Sequence, residues 1–220
     1  MGFNFKKAFI ASSVLASSCV CQASTLAVNM PQFISKYGNK AELRFNHVNG
    51  IIKNYSNSST IEKLKQVNTY FNQFAYSSDI NLWSRVDYWA TTLEFIGAGS
   101  GDCEDFALAK YQTLRKMGVS DKKLKLEYVE VIYNREAHIV LNYYETPSST
   151  PLVLDNYNKQ ILPSTQRTDL YPFFVFNTHS FKILKGSAIS YSNTSSIRRE
   201  WNSYKVRTTL RKPNYNIFEM

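Results

Sequence analysis

Residues 97–118 read GAGSGDCEDFALAKYQTLRKMG, a glycine-rich break followed by a helical pattern. The small residues 97–101 break regular structure and form a flexible entry to a helix predicted over 102–117. Gly118 supplies the C-terminal cap. Cys103 therefore falls in the first turn of a helix. Backbone N–H groups there are unpaired and the helix dipole is positive, so a thiolate is favoured. Free cysteine is often a buried, inert residue. The helix-start position argues instead for a nucleophile. GAGSG superficially resembles a phosphate-binding loop, but it lacks the GxxxxGK[ST] pattern and no apolar parallel strand clearly precedes it.

Working outward, the N-terminal 23 residues, MGFNFKKAFIASSVLASSCVCQA, carry a basic start at Lys6 and Lys7, an apolar run from Ala8 to Val20 and a small-residue end at Ala23. This is the pattern of a secretory signal peptide. Cleavage near Ala23 removes Cys19 and Cys21 and leaves Cys103 as the sole cysteine. The alternative makes Cys19 a lipid-bearing first residue, but Ala16-Ser17-Ser18 lacks the large apolar residue expected before it. No later segment has the length and apolarity of a membrane span, so a processed chain that is not transmembrane is expected. The 220 residues, 44% apolar and 20% charged, can bury a core, which excludes wholesale disorder. Three cysteines exclude a disulfide-stapled scaffold and a four-cysteine zinc site.

Ser59-Thr60-Ile61-Glu62 has capping-box spacing, and Ile61, Leu64, Val67, Phe71 and Phe74 recur at helical intervals to about residue 75. Residues 79–96 are aromatic-rich, with Trp83, Tyr88, Trp89 and Phe95 expected in the core or lining a cleft. Past Gly118 the pattern turns to strands at 124–133, 138–144, 152–155 and 173–176, with Pro147–Pro151 as the turn between the second and third. The expected class is α+β: a cysteine-bearing helix packed on an antiparallel sheet. The sequence divides into a signal peptide (1–23), one domain (24–184) and a polar tail (185–220). The tail holds seven Lys and Arg against two Asp and Glu. It is a candidate species-specific extension or contact for an anionic membrane surface.

A cysteine nucleophile needs a base, and the base needs an orienting group. His138 opens one strand and Asp155 ends the next. Antiparallel pairing across the 147–151 turn brings them to one end of the sheet. The order Cys103, His138, Asp155 then matches a papain-like triad. His47 and His179, in polar, turn-like contexts, are read as surface residues and are the rival bases. There is no HExxH, no paired CxxC and no EF-hand spacing.

Residues 87–119, DYWATTLEFIGAGSGDCEDFALAKYQTLRKMGV, resemble the bacterial transglutaminase-like cysteine peptidases of the LapG type. The likeness continues through AHIVLNYY (137–144), PLVLDN (151–156) and YPFFVFN (171–177). Thr92 stands where that pattern has proline, and the basic tail has no counterpart in it. The resemblance implies a papain-like, transglutaminase-type fold with Cys103 as nucleophile, His138 as base and Asp155 as its partner. It implies a periplasmic protease that cuts the N-terminal region of a large surface adhesin and so disperses biofilm. It also implies an inner-membrane cyclic-di-GMP receptor that sequesters the protease. Calcium dependence follows from it too, with Asp102 and Glu104 among the ligands. The residues themselves add that three adjacent acids, with Asp105, cannot complete a shell of about 6–8 oxygens. Asp79 or Asp87 and backbone carbonyls are the candidates to join them.

Three other functions compete with an endopeptidase. A transglutaminase or deamidase would use the same triad on different acyl donors and acceptors. A non-catalytic binding module conflicts with the intact Cys/His/Asp set. The net charge of +9 suits a nucleic-acid binder, but that charge lies mostly in the tail, and secretion makes nucleic acid an unsuitable partner.

Overall fold

A computed structural model describes residues 24–184 and 191–209. Residues 1–23, expected as a signal peptide, lie outside the described residues. Among the described residues, no helix is long and apolar enough to cross a membrane.

Three helices lead: α1 (Met30–Tyr37), α2 (Asn39–Tyr55) and α3 (Thr60–Phe71). Ser59 caps α3 by accepting from the Glu62 N–H. This helix ends four residues short of the expected boundary, and Ile61 is exposed, so its inward face begins at Leu64. The aromatic stretch that follows holds two short helices, α4 (Asp79–Trp83) and α5 (Thr92–Ala98). Thr91 and Glu94 form a complete capping box on α5. Thr92 is its first residue, the place where proline is favoured because its N–H has no intrahelical partner anyway, so threonine costs little there.

The glycine-rich entry is not the flexible linker its composition suggests. Strand β1 (Ala75–Tyr76) pairs in parallel with β2 (Ser100–Gly101), and the Ser77 N–H adds a 2.9 Å bond to the Gly101 carbonyl. The Arg44 guanidinium donates to the Ile96 and Gly97 carbonyls at the end of α5. Gly99 takes a left-handed φ of 75° as that helix's cap. At Gly101 a Cβ would lie 2.4 Å from Asp105 Oδ2 and 2.8 Å from the Phe95 ring, so only glycine fits.

The cysteine helix, α6, runs from Cys103 to Lys116. Glu104 and Asp105 lie in its first turn and Arg115 and Lys116 in its last, all complementing the dipole. Its end is a Schellman motif: the Gly118 N–H bonds the Arg115 carbonyl and the Val119 N–H that of Leu114, with Gly118 at φ 84°.

The sheet comprises β3 (Leu124–Val131), β4 (Glu136–Tyr143), β5 (Leu152–Leu154), β6 (Leu162–Pro163), β7 (Leu170–Phe176) and β8 (Phe181–Ile183). Every pairing in it is antiparallel, in the order β6-β5-β4-β3-β7-β8. α6 packs across β4, and Phe106, Leu108, Leu114, Ile139 and Leu141 share one core with the leading helices.

The basic segment expected as a polar tail contains a further helix, α7 (Tyr191–Thr209), which joins the core. Ile197, Trp201 and Tyr204 are buried, and Trp201 packs against Phe176 (5.3 Å between ring centroids) and Trp89 (6.4 Å). Each such side chain gains about 1.5–3 kcal/mol from burial. Arg207 also turns inward, onto the Trp89 carbonyl, so residues 191–209 are not a free tail.

Candidate active site

The β4–β5 register, Leu141 opposite Leu154 and Tyr143 opposite Leu152, carries the chain to Asp155 just beyond β5. There Asp155 Oδ1 lies 2.7 Å from Nε2 of His138, and both side chains are fully buried. A carboxylate only accepts, so Nε2 carries the proton and Nδ1 of the neutral ring is left as an acceptor. Nδ1 is buried and has no hydrogen-bond partner. Tyr157 stacks on the imidazole with ring centroids 4.3 Å apart, fixing its plane.

Asp155 is held on every side. Arg167 Nη2 donates to Oδ2 (2.7 Å), the Tyr157 N–H to Oδ1 (3.0 Å), and Lys110 and Asn72 both donate to its backbone carbonyl. Burial alone would raise its pKa. The His138 hydrogen bond and the charges of His138 and Arg167 overcome that and hold the carboxyl well below the usual range. Lys110 is completely buried in α6, and desolvation lowers its pKa to about 7. Arg167, Tyr157 and Lys110 were not anticipated from sequence.

Arg167→Leu should leave Asp155 a buried charge short of its cation. Such a change costs about 3–5 kcal/mol, although Tyr157 and His138 still bond the carboxylate. The midpoint of thermal unfolding should fall by roughly 6–20 °C at pH 7. Because the folded pKa of Asp155 is depressed, its contribution is present above the unfolded value of about 3.9 and fades as pH falls through the folded value. The gap between variant and wild type should therefore close in acid. A gap that stays constant down to pH 2 would remove the ion pair from the account.

Cys103 is half-buried and opens onto a cavity of about 360 Å³ that His138 also lines. Its S–H donates to Glu104 Oε2 at 3.1 Å. Burial, then the charges of Glu104 and Asp102, push the thiol pKa up. His47 lies mid-helix in α2 rather than in a turn, exposed and stacked on Tyr70; His179 is exposed and pairs with Asp121. Neither lines the cavity.

The acids beside the cysteine divide. Asp105 turns inward: its Oδ1 accepts the Ala90 N–H at 2.7 Å, pinning α6 to the segment before α5. Asp79, Asp102 and Glu104 instead offer three carboxylate oxygens within 4.8 Å of one another. Two oxygens each about 2.4 Å from one hard cation can be at most about 4.8 Å apart, so the trio fits such an ion. Asp79 Oδ1 and Asp102 Oδ1 are buried without partners, and Asp102 occupies the N-cap position without capping. Burial and the neighbouring acids push Asp79 up to about 7 and Asp102 further still. A positive charge placed among these oxygens would offset both costs. Asp87 lines the cavity but lies outside the trio.

A family model described as bacterial transglutaminase-like cysteine proteinase matches residues 28–179, and the chain belongs to that family. Among solved structures it is similar to LapG of Legionella pneumophila: 34% identity over 80% of this chain and 93% of that one, with a TM-score of 0.69. An EGTA-treated form of that protein matches at 34% identity over 80% and 94% of the two chains, TM-score 0.69. A calcium-bound form matches at 33% over 81% and 97%, TM-score 0.68. The mixed helices and antiparallel sheet are thus the transglutaminase-like fold of LapG. No curated protein matches the chain significantly.

Proposed function

We propose that this protein is a periplasmic, calcium-dependent cysteine endopeptidase. It cuts the N-terminal region of a large surface adhesin, and its release of that adhesin disperses biofilm. An inner-membrane cyclic-di-GMP receptor is its sequestering partner. The observation that carries the enzymatic part is the convergence of Cys103, the partnerless Nδ1 of His138 and the acid trio on one cavity. Family membership supports the reaction class.

Cys103 acts as the nucleophile and His138 Nδ1 takes its proton. The sulfur attacks the peptide carbonyl, and the Cys103 backbone N–H at the start of α6 helps hold the oxyanion. The imidazolium, stabilised by Asp155, returns the proton to the leaving amine. A water, deprotonated by His138, then hydrolyses the acyl-enzyme. Asp102, Glu104 and Asp79 would hold calcium, which when bound neutralises carboxylates beside a sulfur that must carry negative charge.

The test incubates the processed protein with the N-terminal region of a large adhesin from the same genome. Cleavage is expected in calcium, a loss of at least about 100-fold in excess EGTA, and recovery when calcium is restored. Asp102→Ala and Glu104→Ala should reproduce the chelated state. Full activity after exhaustive chelation would sink the calcium assignment. Incorporation of an added primary amine in place of cleavage would move the reading to acyl transfer.

A further inference from the structure

We infer that α7 is a wall of the substrate cleft and that Ser196 and Ile197 determine which side chain is accepted beside the bond to be cut. The inference rests on the protease reading above and deepens it. Ser196 and Ile197 line the same cavity as Cys103 and His138. The other groups there have assigned work: Cys103 and His138 face the reacting bond, and Asp79, Asp102 and Glu104 form the acid trio. Discrimination among substrates then falls to the rest of the lining, where Asp87 is the one acid beside Val86, Trp89, Tyr128, Ile139, Ser196 and Ile197. Where α7 meets Trp89, Tyr128 and Ile139 this lining is predominantly apolar, so the side chain accepted against α7 is apolar.

The wall is anchored in place rather than mobile. Arg207 Nη2 donates to the Trp89 carbonyl at 2.7 Å, and its guanidinium stands 4.3 Å from the centre of the Tyr88 ring and 3.6 Å from Glu94. Trp89 thus lines the cavity and also supports α7.

The experiment compares wild type, Ile197→Ala and Ser196→Trp on a tryptic digest of a bacterial proteome, with cut sites read by mass spectrometry. The rate of Cys103 alkylation by iodoacetamide is measured in parallel. Apolar pockets discriminate single methylene groups by about 10–200-fold. Ile197→Ala should therefore shift the preference at one substrate position toward larger apolar side chains by at least about 10-fold. Ser196→Trp should lower kcat/KM by a similar factor, mainly through KM. Alkylation should change by less than about twofold in both, since iodoacetamide does not need the wall. Ser196 is half-buried, so its variant keeps the question open to test if Ile197→Ala unfolds. Unchanged cut sites and kcat/KM in the folded variants overturn the inference and leave the protease reading standing. The adhesin N-terminal region is cut in parallel in calcium with the same variants, and a wild type that cleaves neither it nor the digest overturns both readings.

Discussion

Cys103→Ala should abolish cleavage while the protein still folds. Removing the nucleophile of a comparable triad costs about 10⁶ in turnover, which here means no detectable product. The structural loss is small. The side chain gives up one S–H bond to Glu104, worth about 0.5–1.5 kcal/mol net. Circular dichroism and a thermal melt check the fold, and mass spectrometry of the adhesin fragment checks the chemistry. His47→Ala and His179→Ala should leave turnover within a few-fold of wild type. Cleavage by the alanine variant at a tenth of the normal rate or better would place the nucleophile elsewhere.

The second large effect is expected for Asp155→Asn, and the surroundings of Asp155 say how it arises. Its two oxygens face three donors, Nε2 of His138 and the Tyr157 N–H at Oδ1 and Nη2 of Arg167 at Oδ2. An amide has one oxygen. If that oxygen stays with Arg167, the NH₂ faces His138 and requires Nε2 to accept. The ring proton then moves to Nδ1, the nitrogen the mechanism needs as a base. The loss in kcat should reach about 10⁴, as in another triad where the amide imposes the wrong tautomer. Nitrogen NMR of the imidazole would show the proton on Nδ1. Adding Arg167→Leu to the asparagine variant frees the amide oxygen for His138 and should recover part of the rate. Wild-type turnover in the single variant would take Asp155 out of the mechanism.

The parts of this fold legible in the sequence are those set by short-range pattern. α6 announced itself through its entry, its helix formers and Gly118. The approach of His138 to Asp155 followed from counting residues across the 147–151 turn, because an antiparallel hairpin leaves little freedom in register. Which acids gather was only partly legible. Asp102 and Glu104 are neighbours in sequence, but the choice of Asp79 over Asp87 depends on how α4 packs. Arg167 reaches Asp155 from a polar turn with no periodicity to mark it. α7 did carry a signal: Ile197, Trp201 and Tyr204 stand at i, i+4 and i+7. Arg198, Arg199, Lys205 and Arg207 between and after them hid it in a basic composition. The helices over 30–55 likewise repeat apolar residues at Ala41, Phe45, Val48 and Ile52, a spacing that short polar runs interrupt.

Lys110 gives α6 a mechanical role beyond carrying the thiol. The helix holds Cys103 at its first turn and, seven residues on, the ammonium that grips the Asp155 carbonyl. Those residues span about 10 Å of rigid helix axis. The helix is therefore a strut of fixed length between the sulfur and the strand end that orients the imidazole. Sliding it along its axis would drag both anchorages together.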